Sequence, residues 1–382
     1  MSSIVLPGGE RYELRGGGSV LGAGVTPATS RIAYAAAHVV ADPLAENVPG
    51  APAVLDWKAT LAFRHHLWRH GLGVAEAMDT AQRGMGLDYP AVRDLVRRSA
   101  AEARSVGGRI VAGVATDQLE GTATVRQVLD AYRRQLADVV TAGAVPVIMC
   151  SRHLAAAATS PDDYVSVYST LLSEVDQPVL LHWLGSMFDP ALAGYWGSVD
   201  LSAAADTVLA LLKDHSSKVD GVKMSLLDKG FEVGFRRRLP AGVRMYTGDD
   251  FNYPSLIAGD EHGHSDALLG VFAAIAPVVA PALAELDNGS VKGFHALLDP
   301  TVPLARHLFG APTQYYKTGI VFLAWLSGYQ KHFTMVGGLQ SGRSVTHLAR
   351  LLVLADEAGL LPHADLAAAR ARSFFTVAGV PQ

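Results

Sequence analysis

Eight strand-like apolar runs between Ile32 and Ile275, most of them separated by runs of helical periodicity, predict a closed (β/α)8 barrel, the TIM barrel. Spacing supports the same class. The units occupy about 250 residues, and their crossovers are long enough to pair the strands in parallel. A doubly wound open sheet is the competitor, weakened by the lack of a Gly-x-Gly-x-x-Gly or Walker-type loop after an early strand. The nearest match, Gly84-x-Gly86, lacks the third glycine and runs into Asp88-Tyr89-Pro90, which reads as a helix start.

In chain order, residues 3 to 15 alternate apolar and polar around Pro7-Gly8-Gly9, which predicts a hairpin within a lead-in of residues 1–30. The glycine run Gly16-Gly17-Gly18 closes it. The barrel then spans residues 31–280. Its strands are expected at Ile32–Val40, Gly73–Met78, Ile110–Val114, Val145–Met149, Val179–Trp183, Gly221–Ser225, Val243–Thr247 and Leu268–Ile275. Helical runs lie at Tyr89–Ser105, Val125–Thr141, Pro161–Val175 and Ala203–His215. After Pro277 the alternation stops, and residues 281–382 form a helical C-terminal extension. Within it, Thr318–Leu326 is apolar on every side of a helix, so it must be buried against more than one surface. Packing onto the barrel and a homo-oligomer, dimer or tetramer, are both expected from this.

Composition narrows the function classes. With 382 residues, 49% hydrophobic and 18% charged, the chain can bury a large core and is too apolar for disorder. A net charge of -4, from 32 basic and 36 acidic residues, supplies no electrostatic reason to bind nucleic acid or an anionic membrane, and both partners are set aside. The one cysteine, Cys150, excludes an internal disulfide. No stretch approaches the roughly 18 apolar residues of a spanning helix, and Met1 to Glu10 shows no secretory signal, so cytoplasmic residence is expected.

The chemistry centres on Gly221-Val222-Lys223-Met224-Ser225. Alternation puts Val222 and Met224 on one apolar face and Lys223 with Ser225 on the other. A lysine carried inward is rare unless its charge is paired or its amine is kept neutral, and a neutral amine attacks carbonyls. Lys223, His182 and the pair Asp249-Asp250 all fall at strand ends, where barrel enzymes build their sites. His182, one strand from Lys223, suits proton transfer because imidazole titrates near neutrality, which predicts a rate that rises through such a pKa. Trp183 and Met224 are expected to desolvate the amine.

The order of these motifs resembles the dihydrodipicolinate synthase and N-acetylneuraminate lyase family of Schiff-base aldolases. In that family a sixth-strand lysine follows Gly-Ile, as in Gly221-Val222-Lys223, and the fifth strand reads Pro-Val-Ile-Leu-Tyr-Asn, against Pro178-Val179-Leu180-Leu181-His182-Trp183 here. The seventh ends in Ser-Gly-Asp-Asp, against Thr247-Gly248-Asp249-Asp250, and the eighth follows a glycine-rich approach, as in Gly263 to Gly270. The resemblance implies a class I lyase, aldolase or dehydratase, acting on a small-molecule carbonyl substrate without metal or cofactor. Lys223 would form the imine, and His182 would take the role of the family's proton-relaying tyrosine.

One departure bears on the substrate. Where the family holds a 2-oxo acid carboxylate with Gly-Thr-Thr-Gly-Glu, this chain has Glu76-Ala77-Met78-Asp79-Thr80-Ala81-Gln82-Arg83. A carboxylate at Asp79 repels another carboxylate. His38, Asp79, Asp117, Ser225, Thr247, Asp249, Asp250 and His264 are then the expected substrate-binding groups, better matched to the hydroxyls of a keto sugar or hydroxylated sugar-acid derivative. Two other readings stand beside this one. Asp249, Asp250, Asp260, Glu261, His262, His264 and Asp266, with His38 and Asp42, offer ligands for a metal-dependent hydrolase or aldolase. The missing tyrosine and carboxylate loop also fit a barrel kept as a binding protein.

Overall fold

The computed structural model describes residues 2–16 and 26–382, so Gly17 and Gly18 of the predicted glycine run lie outside the described residues. Strands β1 (Ser3–Val5) and β2 (Arg11–Glu13) form the antiparallel hairpin, with Ile4 opposite Tyr12. It is tied to the far end of the chain. The Tyr12 hydroxyl donates to the Asp356 carboxylate at 2.8 Å, which also accepts from the Arg15 and Gly16 amides.

Eight further strands close into a barrel: β3 (Ala33–Ala36), β4 (Gly73–Glu76), β5 (Ile110–Val114), β6 (Val145–Met149), β7 (Val179–Leu184), β8 (Val219–Ser225), β9 (Arg244–Thr247) and β10 (Asp266–Leu269). They pair in parallel in sequence order, and β10 closes on β3. The first and last predicted strands differ most from the observed ones. The first is shorter than Ile32–Val40, and the last starts earlier than Leu268 and stops at Leu269, because Phe272 to Ile275 already belongs to a helix. A short apolar run buried on both sides does not itself distinguish strand from helix.

Helices α1 (Trp57–Arg69), α2 (Tyr89–Val106), α3 (Val125–Ala142), α4 (Arg152–Ala157), α5 (Pro161–Glu174), α6 (Leu201–His215), α7 (Lys229–Arg236) and α8 (Tyr253–Ala258) fill the crossovers. Local chemistry sets their ends. Asp56, Asp88 and Thr124 cap α1, α2 and α3 by accepting from backbone amides of the first turn, and Gly107 and Gly143 end α2 and α3 at φ 65° and 82°, a conformation that favours glycine. After β10 come α9 (Phe272–Asp287), α10 (Val291–Leu298), α11 (Val302–Leu308), α12 (Tyr316–Leu326), α13 (Val345–Glu357) and α14 (Ala364–Val377).

The barrel interior is a small cluster that includes Tyr34, Ala75, Val111, Val147, Leu180, Tyr246 and Leu268. A second cluster packs α2 to α7 on the outer wall, and a third joins β3, β4, β10, α1 and α9 to the C-terminal helices through residues such as Phe272, Phe322, Leu351 and Phe375. The C-terminal helices thus share a core with the barrel wall. Helix α12 has ten of its eleven residues buried, so its apolar surface is covered within one chain and does not itself call for a second copy. Among the described residues no helix is long and apolar enough to cross a membrane.

Candidate active site

Lys223 sits where strand alternation requires. Val222 and Met224 face the outer shell with Trp183, while a Cβ built on Gly248 of the neighbouring strand end would lie 3.0 Å from Lys223 Cε and closer still to Ser225 Oγ. Lys223 and Ser225 therefore face inward. Trp183 and Met224 point away from the amine, so its desolvation comes from the barrel lumen and not from them. Lys223 is 6% exposed, and among the described residues no carboxylate lies within ion-pair distance of it. Burial pushes its pKa down, while Asp79 and Asp250 pull it back up. The net shift is downward from the ordinary lysine value.

His182 lies directly across from Lys223 in the β7–β8 register. Its Nε2 meets Ser225 Oγ at 3.2 Å, and its Nδ1 is buried without a partner. Burial first, then the Lys223 charge, holds the imidazole well below its usual pKa. That direction favours the neutral ring and runs against the expectation that His182 titrates near neutrality.

The two aspartates after β9 differ in role. Asp249 accepts from the Phe251 and Asn252 amides and from Asn252 Nδ2 at 2.8–3.0 Å, so it caps its own turn. Asp250 accepts from the Val271 amide at 2.8 Å, and burial pushes its pKa up against the opposing pull of Lys223. Thr247 faces the outer layer, where its hydroxyl donates to Glu232 Oε2 at 3.0 Å. It does not reach the lumen, and of the predicted Thr247, Asp249 and Asp250 only Asp250 faces the amine.

Asp79 occupies the short turn after β4, Asp79–Ala81, and exerts the largest favourable charge on Lys223. Beside it opens a cleft of about 250 Å³, lined by Asp79, Asp117, Met149, Cys150, Arg152 and Asp189 among others. Asp117 is committed to Arg83, with contacts of 2.6 and 3.0 Å, and Arg83 also donates to the Gly113 carbonyl. Arg152 is likewise paired with Asp189.

Two predicted residues lie away from this centre. The His38 ring lies tilted against Phe63 of α1 with centroids 4.2 Å apart, and its Nε2 meets Gln330 Oε1 at 2.8 Å, which places it in the seam between barrel and C-terminal helices. Burial there holds its pKa down at about 3. His264 precedes β10 and is exposed at the amino-terminal end of the strands, opposite the mouth. The same placement divides the proposed metal ligands. Asp249 and Asp250 follow a strand, whereas Asp260, Glu261, His262, His264 and Asp266 precede or open the next. Among the described residues no group of three or more His, Cys, Asp or Glu is placed to hold a metal ion.

Sequence reasoning missed what the C-terminal helices bring. The Tyr316 hydroxyl and Thr80 Oγ1 are 2.7 Å apart, and the Tyr316 ring stacks on Phe309 at 4.3 Å with Phe188 edge-on. A Cβ on Gly270 would meet Phe309, Tyr316 and Thr80 within 3.4 Å, so these groups converge over the end of β10 and roof the mouth. Lys317 follows on the same helix, 2% exposed. A lysine inside a run apolar on all sides was the available signal. Behind Asp79, the guanidinium of Arg64 grips the Glu76 carboxylate through two hydrogen bonds of 2.7 and 2.8 Å, both residues fully buried.

A family profile described as Protein of unknown function (DUF993) matches residues 8–380. No curated protein matches the sequence. Solved structures share the fold over most of the chain. Dihydrodipicolinate synthase from Aquifex aeolicus is 13% identical with a TM-score of 0.66, covering 87% of this chain and 99% of that one. The enzyme from Thermotoga maritima is 14% identical, TM-score 0.63, with 87% and 100% covered. YagE, a prophage protein of the dihydrodipicolinic acid synthase family from E. coli K12, solved in complex with pyruvate, is 13% identical, TM-score 0.66, with 86% and 99% covered. At these identities the likeness is one of fold.

Proposed function

We propose, from the premise that the chain belongs to the DUF993 family and folds as a dihydrodipicolinate synthase-like barrel, that it is a class I aldolase or lyase working through an imine on Lys223. The observation that carries this reading is a buried, inward-facing lysine that has no carboxylate in ion-pair reach among the described residues and lies opposite His182 across the β7–β8 pairing. A scaffold would do better with an aliphatic side chain there.

The free amine attacks the substrate's carbonyl carbon, and the carbonyl oxygen takes a proton to give a carbinolamine. Its hydroxyl leaves as water, forming the iminium. Loss of a proton from the hydroxyl on the carbon β to the iminium then breaks the Cα–Cβ bond, releasing an aldehyde, and the electron pair moves into the iminium as an enamine. Protonation at carbon and hydrolysis release the second product and restore the amine. His182, opposite Lys223, and Ser225, two residues along the same strand as Lys223, share a hydrogen bond and move these protons. The substrate is a keto sugar or hydroxylated sugar-acid derivative, its hydroxyls met by Asp79.

Borohydride reduction with a panel of keto sugars and keto sugar acids tests this. One adduct mass on the peptide containing Lys223, absent in Lys223→Ala, is the expected result. Trapping should strengthen as pH rises through the lowered pKa of the amine, and His182→Gln should slow it without removing that limb. Adducts spread over surface lysines and unchanged in Lys223→Ala would leave a binding protein.

A further inference from the structure

The second buried lysine has no role in the imine chemistry. Lys317 is the second residue of α12, at the positive end of the helix dipole, and is 2% exposed. Its ammonium donates to the Met85 thioether at 3.1 Å and lies 5.5 Å from the Tyr316 ring. A thioether is a weak acceptor for a group with three strong donors. Among the described residues no carboxylate stands within ion-pair distance of Lys317. An ammonium left this way is costly, and an apolar residue at this position of an otherwise apolar helix would avoid the cost.

Its surroundings show what could answer it. The charges that act on Lys317 most strongly are Asp79, Arg152 and Asp189, and all three line the cleft that opens beside Asp79. Arg152 and Asp189 satisfy each other, as do Arg83 and Asp117. Asp79 makes no side-chain hydrogen bond among the described residues and exerts the largest favourable charge on both buried lysines. The cleft therefore has on its wall an uncommitted carboxylate whose charge acts on two amines, one facing the barrel lumen and the other on the C-terminal helix whose Tyr316 meets Thr80, the residue after Asp79.

We propose that Lys317 is an oxyanion clamp, and that the substrate is an anionic, hydroxylated keto compound whose carboxylate or phosphate it binds while Asp79 takes hydroxyls and Lys223 takes the carbonyl. This rests on the aldolase reading and narrows it, since neutral keto sugars are then poor substrates. The repulsion expected of Asp79 toward a substrate carboxylate is answered by the opposite charge of Lys317.

The test separates this subsite from the imine by using full-length Lys223→Ala protein, which cannot form one. Calorimetric titration compares gluconate, inorganic phosphate and the neutral polyol sorbitol. Gluconate or phosphate should bind, and the preference over sorbitol should fall roughly tenfold to a hundredfold when Lys317→Met is added, as expected for one lost charge-assisted contact. Lys317→Arg should keep part of it. Gluconate without phosphate identifies a sugar acid, and phosphate without gluconate a phosphorylated substrate. Because Met suits the apolar helix, the variant should keep its thermal transition; were it unfolded, protection of Lys317 from reductive methylation by either anion would give the same reading. Equal affinity for gluconate and sorbitol, or no change on Lys317→Met, overturns the clamp. An imine trapped on Lys223 without anion preference would remove the clamp alone, and anion preference without an imine would keep it in a barrel that is not an aldolase.

Discussion

Removing Arg64 tests how the turn that carries Asp79 is held. The guanidinium makes its two bonds to Glu76, donates to the Thr60 carbonyl at 3.0 Å and donates to the His38 carbonyl, while Glu76 Oε1 also accepts from the Ala77 amide at 3.0 Å. Both side chains are 0% exposed. Arg64→Met strands a buried carboxylate and should cost about 3–5 kcal/mol, whereas replacing both partners by apolar residues should recover most of the loss. An unfolding entropy of roughly 0.8 kcal/mol/K for a chain of this length turns that cost into a Tm lowered by about 4–6 °C. Scanning calorimetry of Arg64→Met, Glu76→Met and the double variant measures the cycle. Because Glu76 leads directly into Ala77, Met78 and Asp79, the single variant should also raise KM more than it lowers kcat. A loss below about 1 kcal/mol in Arg64→Met, or a double variant as unstable as the sum of the singles, would refute the argument that one charge needs the other.

Gly248→Ala places a methyl group against Ser225 Oγ, the Met224 carbonyl at 2.8 Å and Lys223 Cε at 3.0 Å. The rate of borohydride trapping should fall roughly tenfold to a hundredfold, with an overpacking cost of about 1–3 kcal/mol by thermal melt; unchanged trapping would contradict the inward placement of Lys223. Glu232, buried under α7 with only the Thr247 and Ser265 hydroxyls donating to it, has its pKa raised by burial to about 8. The folded state then holds a proton that the unfolded state gives up near the ordinary carboxylate pKa, so stability falls as pH rises from about 4.5 through 8. Glu232→Gln should flatten that decline and be more stable than the parent by a few kcal/mol at pH 9; parallel pH–Tm curves for the two proteins would contradict it.

The barrel was legible because strands covered on both faces read as apolar runs between helical periods, and Lys223 stood out as the one lysine in such a run. Strand ends were less legible. Val271 to Ile275 is as apolar as the strand before it, and only the backbone shows that Phe272 opens a helix. His264 was grouped with Asp250 because both flank strands, yet one precedes a strand and the other follows one, which puts them at opposite ends of the barrel. Lys317 and Tyr316 were hidden for another reason. Their contacts with Met85 and Thr80 join residues more than 200 positions apart, and no local pattern encodes which barrel loop a later helix will cover.

The roof over the mouth also sets an order of assembly. Synthesis proceeds from the amino terminus, and Lys223 leaves the ribosome well before Tyr316 and Lys317, at about 5–20 residues per second. Until α11 and α12 dock, the eight strands can be paired while the lumen stays open to water and to cellular aldehydes, with the amine hydrated and hence protonated. On the proposed imine reading, competence arrives with the last quarter of the chain, so a prematurely terminated product would carry Lys223 without the groups that roof the mouth.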